Sequence, residues 1–173
     1  MCSSDLEDLQ LALVVDDEHR EDWDWFSWLP QLAAQNVQGP FGPGRVIVPS
    51  IARLRNVLGP ELDSRSSSAA EARRAMLTGK EIQHGRILVL VDQYGQAATT
   101  FTPTDPQIKL SQVSTTVVYL LDDRRAEPGF ITTRISAGRE PGSFVVETYP
   151  KPNAAPKVIT GFLDDSVDRK SVV

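Results

Sequence analysis

The chain of 173 residues contains one cysteine and two histidines, and it has no long uncharged apolar run. A single thiol excludes an internal disulfide framework and a multi-thiolate metal site. A transmembrane helix needs about 18 consecutive apolar residues, whereas apolar runs such as 87–91 have the length of a strand. The N-terminus lacks a basic segment followed by an apolar stretch, so we predict neither a signal peptide nor a membrane span.

Clustered basic residues are also missing. The chain has 18 Lys and Arg against 23 Asp and Glu, which gives a net charge of −5, and its Arg-Arg motifs at 73–74 and 124–125 are isolated pairs. A nucleic-acid-binding surface needs clustered cations to neutralise phosphates, so we expect no direct nucleic-acid partner. With 40% apolar residues the composition is that of a soluble globular domain.

The two ends of the chain can be back-translated into related codons. The codons TGC TCT TCC GAT CT can encode residues 2–6, and GAT CGG AAG AGC GTC GT can encode residues 168–173. The cores of these strings are reverse complements that match a widely used short-read sequencing adapter. We therefore expect residues 1–6 and 168–173 to be translated adapter around a native insert at 7–167. The alternative is a pair of native polar tails, and the nucleotide sequence distinguishes the two.

The hydrophobic pattern predicts an α/β protein. Apolar runs favour buried strands, whereas apolar residues three and four apart favour helices. We predict an α/β three-layer, mainly parallel sheet with an antiparallel C-terminal hairpin. The predicted strands are 9–15, 45–48, 85–92 and 115–121, the hairpin strands 130–136 and 143–149, and a short strand in 157–165.

Local signals predict where the other segments begin and end. Ser50 can cap a helix over 51–58 that Gly59 ends, and a second helix follows over 60–78. The Pro- and Gly-rich segment 38–44 is predicted to be a loop.

All three tryptophans lie in one short segment. Trp25, Trp28 and Leu29 have the spacing of one α-helical face, which Pro30 should end. Packing in the core is favoured over a ligand cage, although tryptophan is also common at protein interfaces.

Asp92 is the strongest candidate for chemistry. It follows a run of aliphatic residues at 87–91, as does the second nucleotide-binding motif of P-loop ATPases, whose central strand brings a carboxylate to the Mg²⁺ shell. Any buried strand can end in Asp, and the next residue is Gln93. No Gly-x-x-x-x-Gly-Lys-Ser/Thr loop occurs in the chain. We therefore do not assign ATP hydrolysis to this chain and leave its enzymatic status open.

Other polar motifs are sparse. His19 and His84 lie far apart in polar segments, and Asp pairs such as Asp16-Asp17 follow apolar stretches. Solvated side chains explain both features, because a metal site would need further ligands at suitable spacing. No serine lies in a Gly-x-Ser-x-Gly context. We predict no catalytic residue, no metal ligand and no cofactor for this chain alone.

Residues 9–32 resemble EccC, the FtsK/SpoIIIE-like ATPase of actinobacterial type VII secretion. In that family an apolar strand, an acidic loop and a WDW-x-x-WLP-H segment follow one another. Gln31 stands where the family usually has His, and Ser27 where it usually has Lys. A weaker similarity to the same family extends over 41–58, 85–92, 114–125 and 163–165. The matching motif residues are Trp23, Asp24, Trp25, Trp28, Leu29 and Pro30.

The resemblance implies a degenerate RecA/P-loop-like domain that precedes the first of three ATPase modules. Asp92 would then hold the Walker-B-like, nucleotide-binding position. The parent would be a membrane-anchored, hexameric export motor that uses ATP and Mg²⁺ on the cytoplasmic side of the bacterial plasma membrane. Its partners would be the other domains and subunits of the secretion complex.

Three hypotheses remain open. The first is a non-hydrolysing interaction and relay domain anchored by the tryptophan motif. The second is a nucleotide-binding module that uses Asp92, with its phosphate loop missing upstream. The third is an unrelated soluble α/β binding domain.

Overall fold

A computed structural model describes residues 9–39, 42–76, 85–92, 100–103, 105, 108–129, 131–150 and 154–163. The chain divides into two compact units, of which the first ends at Glu127 and the second begins at Pro128. The proposed adapter residues 1–6 and 168–173, and His84, lie outside the described residues.

The described residues form nine strands, one α-helix and four short 3₁₀ helices. The α-helix, α1, spans Ile51–Met76. The 3₁₀ helices are Arg20–Trp28, Pro30–Leu32, Leu110–Val113 and Arg124–Ala126. The strands are β1 (Leu9–Val15), β2 (Ala33–Gly39), β3 (Gly42–Arg45), β4 (Ile47–Val48), β5 (Arg86–Asp92), β6 (Thr115–Leu120), β7 (Thr133–Ala137), β8 (Ser143–Thr148) and β9 (Lys157–Phe162).

A four-stranded parallel sheet organises the first unit, with the strand order β4-β1-β5-β6. Leu13 of β1 is in register with Leu90 of β5, which in turn is in register with Val118 of β6. β1 and β5 are apolar on both faces, as expected for central parallel strands. The prediction of an α/β fold with a mainly parallel sheet is confirmed, together with strands at 9–15, 85–92 and 115–121.

One face of this sheet packs against α1, and we call it the α1 face. Successive strand residues point to opposite faces, so Ala12, Val14 and Val89 join the core on this side. The helix contributes Leu54 and Leu58, which are fully buried. The opposite face carries a second core cluster, made by Leu11, Leu13, Val15, Phe26 and Leu32.

The helix α1 continues through Gly59 and Pro60, so the prediction of two helices separated at Gly59 is wrong. The predicted cap is present, since the Arg53 backbone N–H donates to Ser50 Oγ at 3.3 Å. Leu62 extends the buried stripe beyond the Gly-Pro pair. Continuous packing on the sheet thus outweighs the local cost of glycine and proline in a helix.

Arg65 ties the middle of α1 to the strands below it. This buried guanidinium donates from Nη1 to the carbonyls of Gly85 (2.5 Å) and Val113 (3.3 Å), next to the start of β5 and β6. Its Nε also donates to Glu61 Oε1 at 2.7 Å. The sequence pattern did not predict this role, because both carbonyls lie far along the chain from Arg65.

The segment predicted to be a loop at 38–44 instead contributes to an antiparallel pair. Strands β2 and β3 pair with a register shift between Ala34 and Gln38. The strand predicted at 45–48 is divided, because β3 ends at Arg45 and β4 begins at Ile47. Val46 lies between them, and its backbone N–H donates to the Leu32 carbonyl at 2.9 Å.

The second unit contains an antiparallel sheet of order β7-β8-β9. The predicted hairpin is confirmed as β7 and β8, and the strand predicted within 157–165 adds to it as β9. Arg134 and Glu147 pair across β7 and β8 at 2.6 Å. Gly161 lies beneath the Phe144 ring, where a Cβ would come within 2.5 Å of that ring.

Candidate functional site

The two features that the sequence singled out independently are in direct contact. Trp23 donates its indole N–H to Asp92 Oδ2 at 2.8 Å. Asp92 ends β5 and is only 9% exposed, so this bond satisfies a buried carboxylate. An indole N–H can only donate and an ionised carboxylate can only accept. Trp23 of the tryptophan motif and Asp92 at the end of β5 therefore belong to one site.

The geometry of a 3₁₀ helix explains why Trp23 reaches the sheet. With three residues per turn, side chains at i and i+3 lie on the same side. Trp23 and Phe26 accordingly form the inner side of the helix Arg20–Trp28, with an edge-to-face ring contact at 5.5 Å. Phe26 is buried among the leucines of the second core cluster, against which Trp23 also packs. The α-helical spacing assumed in the sequence analysis grouped Trp25, Trp28 and Leu29 on one face. The side of this 3₁₀ helix that packs on the sheet is instead formed by Trp23 and Phe26.

Trp25 and Trp28 form the outer side of the same helix. They are 61% and 82% exposed, so the favoured prediction that the tryptophan cluster packs in the core is wrong for these two. Trp25 stacks on Trp23 with ring centroids 5.8 Å apart. A monomer thus presents two indoles to solvent beside the buried carboxylate, which is the pattern of an interaction site.

The remaining motif residues shape the end of the helix. Ser27 Oγ donates to the Asp24 carbonyl at 2.6 Å, which holds the turn through the backbone of Asp24. Leu29 packs against the second core cluster, and its carbonyl accepts from Arg45 Nη1 at 3.3 Å. The helix ends before Pro30, as predicted, and Pro30 begins a further 3₁₀ turn.

A second polar contact lies where β1 ends. Asp16 Oδ1 accepts from the backbone N–H of His19 at 2.9 Å and lies 2.7 Å from its Nδ1. The hydrogen bond with Asp16 raises the pKa of His19 above its ordinary value, and the same bond lowers the pKa of Asp16. His19 stays partly exposed, and the structure adds a contact with Asp16 that the i, i+3 spacing of the pair could have indicated.

The described residues around Asp92 do not fit a magnesium nucleotide. One carboxylate oxygen already accepts the Trp23 N–H, and the chain has no phosphate-loop motif. Within the described residues, no three carboxylate, imidazole or thiol side chains come together as a metal site would require. We therefore derive no nucleotide chemistry from this site.

Part of the chain is similar to a known secretion protein. Over 52 residues, or 30% of the chain, it is 36% identical to the ESX-4 secretion system protein EccC4 of Mycobacterium tuberculosis. The matched segment covers 4% of the length of EccC4. No family model matches the chain. Among the helices that the structure describes, none is long and apolar enough to cross a membrane.

Proposed function

We propose that this chain is an ATPase-like domain from a type VII protein-export motor, and that it acts by binding other parts of the motor rather than by hydrolysing ATP. The hydrogen bond from Trp23 to Asp92 carries the proposal. In a P-loop ATPase of this architecture the corresponding carboxylate would face Mg²⁺. Here one oxygen of that carboxylate accepts the Trp23 N–H instead.

The similarity to EccC4 supports the secretion role. The WDW-x-x-WLP motif, which resembles that of the EccC family, is consistent with the same role. The parallel strand order β4-β1-β5-β6, with Asp92 at the C-terminal end of an inner strand, supports a RecA/P-loop-like ancestry.

The proposed parent is a membrane-anchored, hexameric motor at the cytoplasmic side of the bacterial plasma membrane. Its ATP and Mg²⁺ would be used by other modules. The partners of this domain would be those modules and the other subunits of the secretion complex, with Trp25 and Trp28 as contact residues.

Nucleotide titration separates this proposal from the alternative of a nucleotide-binding module. We expect isothermal titration of the chain with Mg²⁺-ATP to give no saturable binding at micromolar concentrations. Trp23→Phe, which frees the Asp92 oxygen, serves as a comparison and should also not bind. Micromolar affinity that Asp92→Asn abolishes would establish the alternative instead.

A binding experiment tests the interaction role. The chain is mixed with the purified ATPase modules of EccC4, and affinity is measured by titration calorimetry. We expect Trp25→Ala and Trp28→Ala each to weaken binding about tenfold, the loss of a typical aromatic contact residue, without a change in melting temperature. Ile135→Ala, which alters an exposed apolar residue of the second unit, is the matched control. No binding, or equal losses for all three variants, contradicts the proposal.

A further inference from the structure

The parallel sheet is covered unevenly on the side opposite α1. Residues in register on neighbouring parallel strands lie on the same face, and Leu88 and Leu90 of β5 pair with Thr116 and Val118 of β6. Leu88 and Leu90 pack against the second core cluster. Val118 and Leu120, farther out, are 37% and 40% exposed. On the other face of β6, Val117 and Tyr119 pack against the core cluster that lies between the sheet and α1.

Chain topology explains why β6 is left open on this side. The connection from β1 to β4 carries the helix Arg20–Trp28 and covers the β1 side of this face. The segment from β4 to β5 contains α1, which lies on the opposite face. The segment leading into β6 also packs there through Ile108, Leu110 and Val113. Among the described residues of the first unit, none is assigned to a core cluster over Val118 and Leu120.

The exposed indoles extend this open surface. Trp25 stacks on Trp23, Trp23 donates to Asp92, and Asp92 is in register with Leu120. Trp28 follows Trp25 by one 3₁₀ turn and lies on the same side of its helix. We define the open face as Val118, Leu120, Trp25 and Trp28, which Leu88 and Leu90 border on the covered side.

The charges and aromatic rings around the open face indicate which kind of partner would bind there. Residues 16–24, which include Trp23, contain six Asp and Glu against one Arg and one His. Carboxylates attract cations, and a cationic side chain also stacks on an exposed indole. Parallel sheets are normally covered on both faces, and helices supply that cover. The α1 face shows this arrangement, with a leucine stripe at 54, 58 and 62.

We propose that the open face binds an amphipathic helix of a partner chain, with an apolar stripe flanked by lysine and arginine. The apolar stripe covers Val118 and Leu120 as α1 covers the opposite side. The basic flanks meet the acidic residues 16–24 and the two indoles. This inference rests on the proposed interaction role and adds the chemistry of the partner to it.

Peptide binding to the full chain tests the inference. The probe is a synthetic amphipathic peptide of about 18 residues, which is about 27 Å long as a helix, with a leucine stripe flanked by lysines. A matched peptide carries glutamate in place of each lysine, and a third has the leucine and lysine positions scrambled. Because all three tryptophans lie in residues 23–28, their emission reports binding at this face directly. We expect saturable binding of the lysine peptide, with at least about tenfold weaker binding of the other two.

Variants locate the bound peptide, with affinities measured by calorimetry. Trp28→Ala removes a side chain that is 82% exposed, so the fold is retained and binding should weaken several-fold. Leu120→Glu should weaken binding at least about tenfold, because it places a charge under the apolar stripe. Ile159→Glu, at a residue that is 53% exposed in the second unit, controls for an added charge and should leave binding unchanged.

Four outcomes overturn the inference. Three of them are equal affinity for the lysine and glutamate peptides, unchanged affinity in both Trp28→Ala and Leu120→Glu, and a self-association in sedimentation that Leu120→Glu abolishes. The last result would assign the open face to a second copy of the chain. Binding of the EccC4 modules without binding of the lysine peptide would overturn this inference and leave the proposed function intact.

Discussion

At the scale of single residues, the candidate site depends on the hydrogen bond that the Trp23 indole N–H donates to Asp92. Trp23 Nε1 lies 2.8 Å from Asp92 Oδ2, although 69 positions separate the two residues in the chain. A hydrogen bond to a charged group contributes about 1.5–3 kcal/mol. An unsatisfied carboxylate that is only 9% exposed would be costly. The bond therefore couples the tryptophan motif to the stability of the sheet.

Replacing Trp23 with phenylalanine tests this coupling. Trp23→Phe keeps an aromatic ring but removes the donor, so we expect the free energy of unfolding to fall by about 1.5–3 kcal/mol. Trp28→Phe is the matched control at an exposed position and should change stability by less than about 0.5 kcal/mol. Urea denaturation followed by circular dichroism measures both. Equal effects of the two variants would show that the indole N–H adds nothing.

The Asp16–His19 contact predicts a pH dependence. Because Asp16 raises the pKa of His19 above the ordinary 6.5, the stabilising contribution of His19 is complete below pH 6.5 and is lost as pH rises through the raised pKa. Asp16, whose pKa is lowered from 3.8, contributes above pH 3.8 and loses this contribution as pH falls through the lowered value. The pair therefore stabilises the fold most between pH 3.8 and pH 6.5, and this contribution declines on either side as each folded-state pKa is approached.

A proton NMR titration of the His19 ring measures this shift directly, with His84→Gln simplifying the spectrum. Asp16→Asn should return the pKa of His19 towards 6.5. A midpoint at or below 6.5 in the chain that retains Asp16 would contradict the contact.

At the scale of elements, helix α1 is held by its packing rather than by its local sequence. Gly59 and Pro60 predict a helix end, yet Leu54, Leu58 and Leu62 continue one buried stripe across them. Ser66 and Ser67, whose side chains can compete with helix formation, donate their hydroxyls to the carbonyls of residues 62 and 63. Such back-bonding satisfies these side chains inside a helix.

Substitution of Gly59 distinguishes a continuous helix from one that ends there. A Cβ added at Gly59 meets no atom within 4 Å, so Gly59→Ala should raise the free energy of unfolding by about 0.5–1 kcal/mol. Ser64→Gly, at an exposed position of the same helix, should lower it by about 0.5 kcal/mol. Thermal denaturation compares the two. A loss of stability in Gly59→Ala would mean that Gly59 adopts a left-handed helix end.

At the scale of the whole molecule, both core clusters are built from residues of the first unit alone. One cluster lies under α1 and the other under the tryptophan helix. The second unit is a three-stranded sheet with several exposed apolar side chains, among them Ile135 and Phe162. Among the described residues, the buried apolar core therefore lies in the first unit.

Truncation after Glu127 tests the independence of the first unit. Because both core clusters remain, we expect the shortened chain to unfold in one cooperative transition with a midpoint like that of the full chain. Tryptophan emission follows this transition, since all three tryptophans lie in the first unit. Loss of the cooperative transition would show that residues 128–173 are needed for folding.

The sequence by itself determined β1, β5 and β6, because each contains several adjacent apolar residues within a segment of strand length. It also determined the cap at Ser50 and the helix end before Pro30, which depend on neighbouring residues only. The candidate residues Trp23 and Asp92 were likewise identified from local motifs.

The tertiary structure decided which of these features meet. Residues that are 69 positions apart form the Trp23–Asp92 bond only because the chain returns over the sheet. The exposure of Trp25 and Trp28 follows from a 3₁₀ period that the apolar pattern did not reveal. The passage of α1 through Gly59 and Pro60 depends on the sheet beneath it. Local patterns indicate which side chains are apolar enough to be buried, whereas strand order and helix period determine which of them are buried.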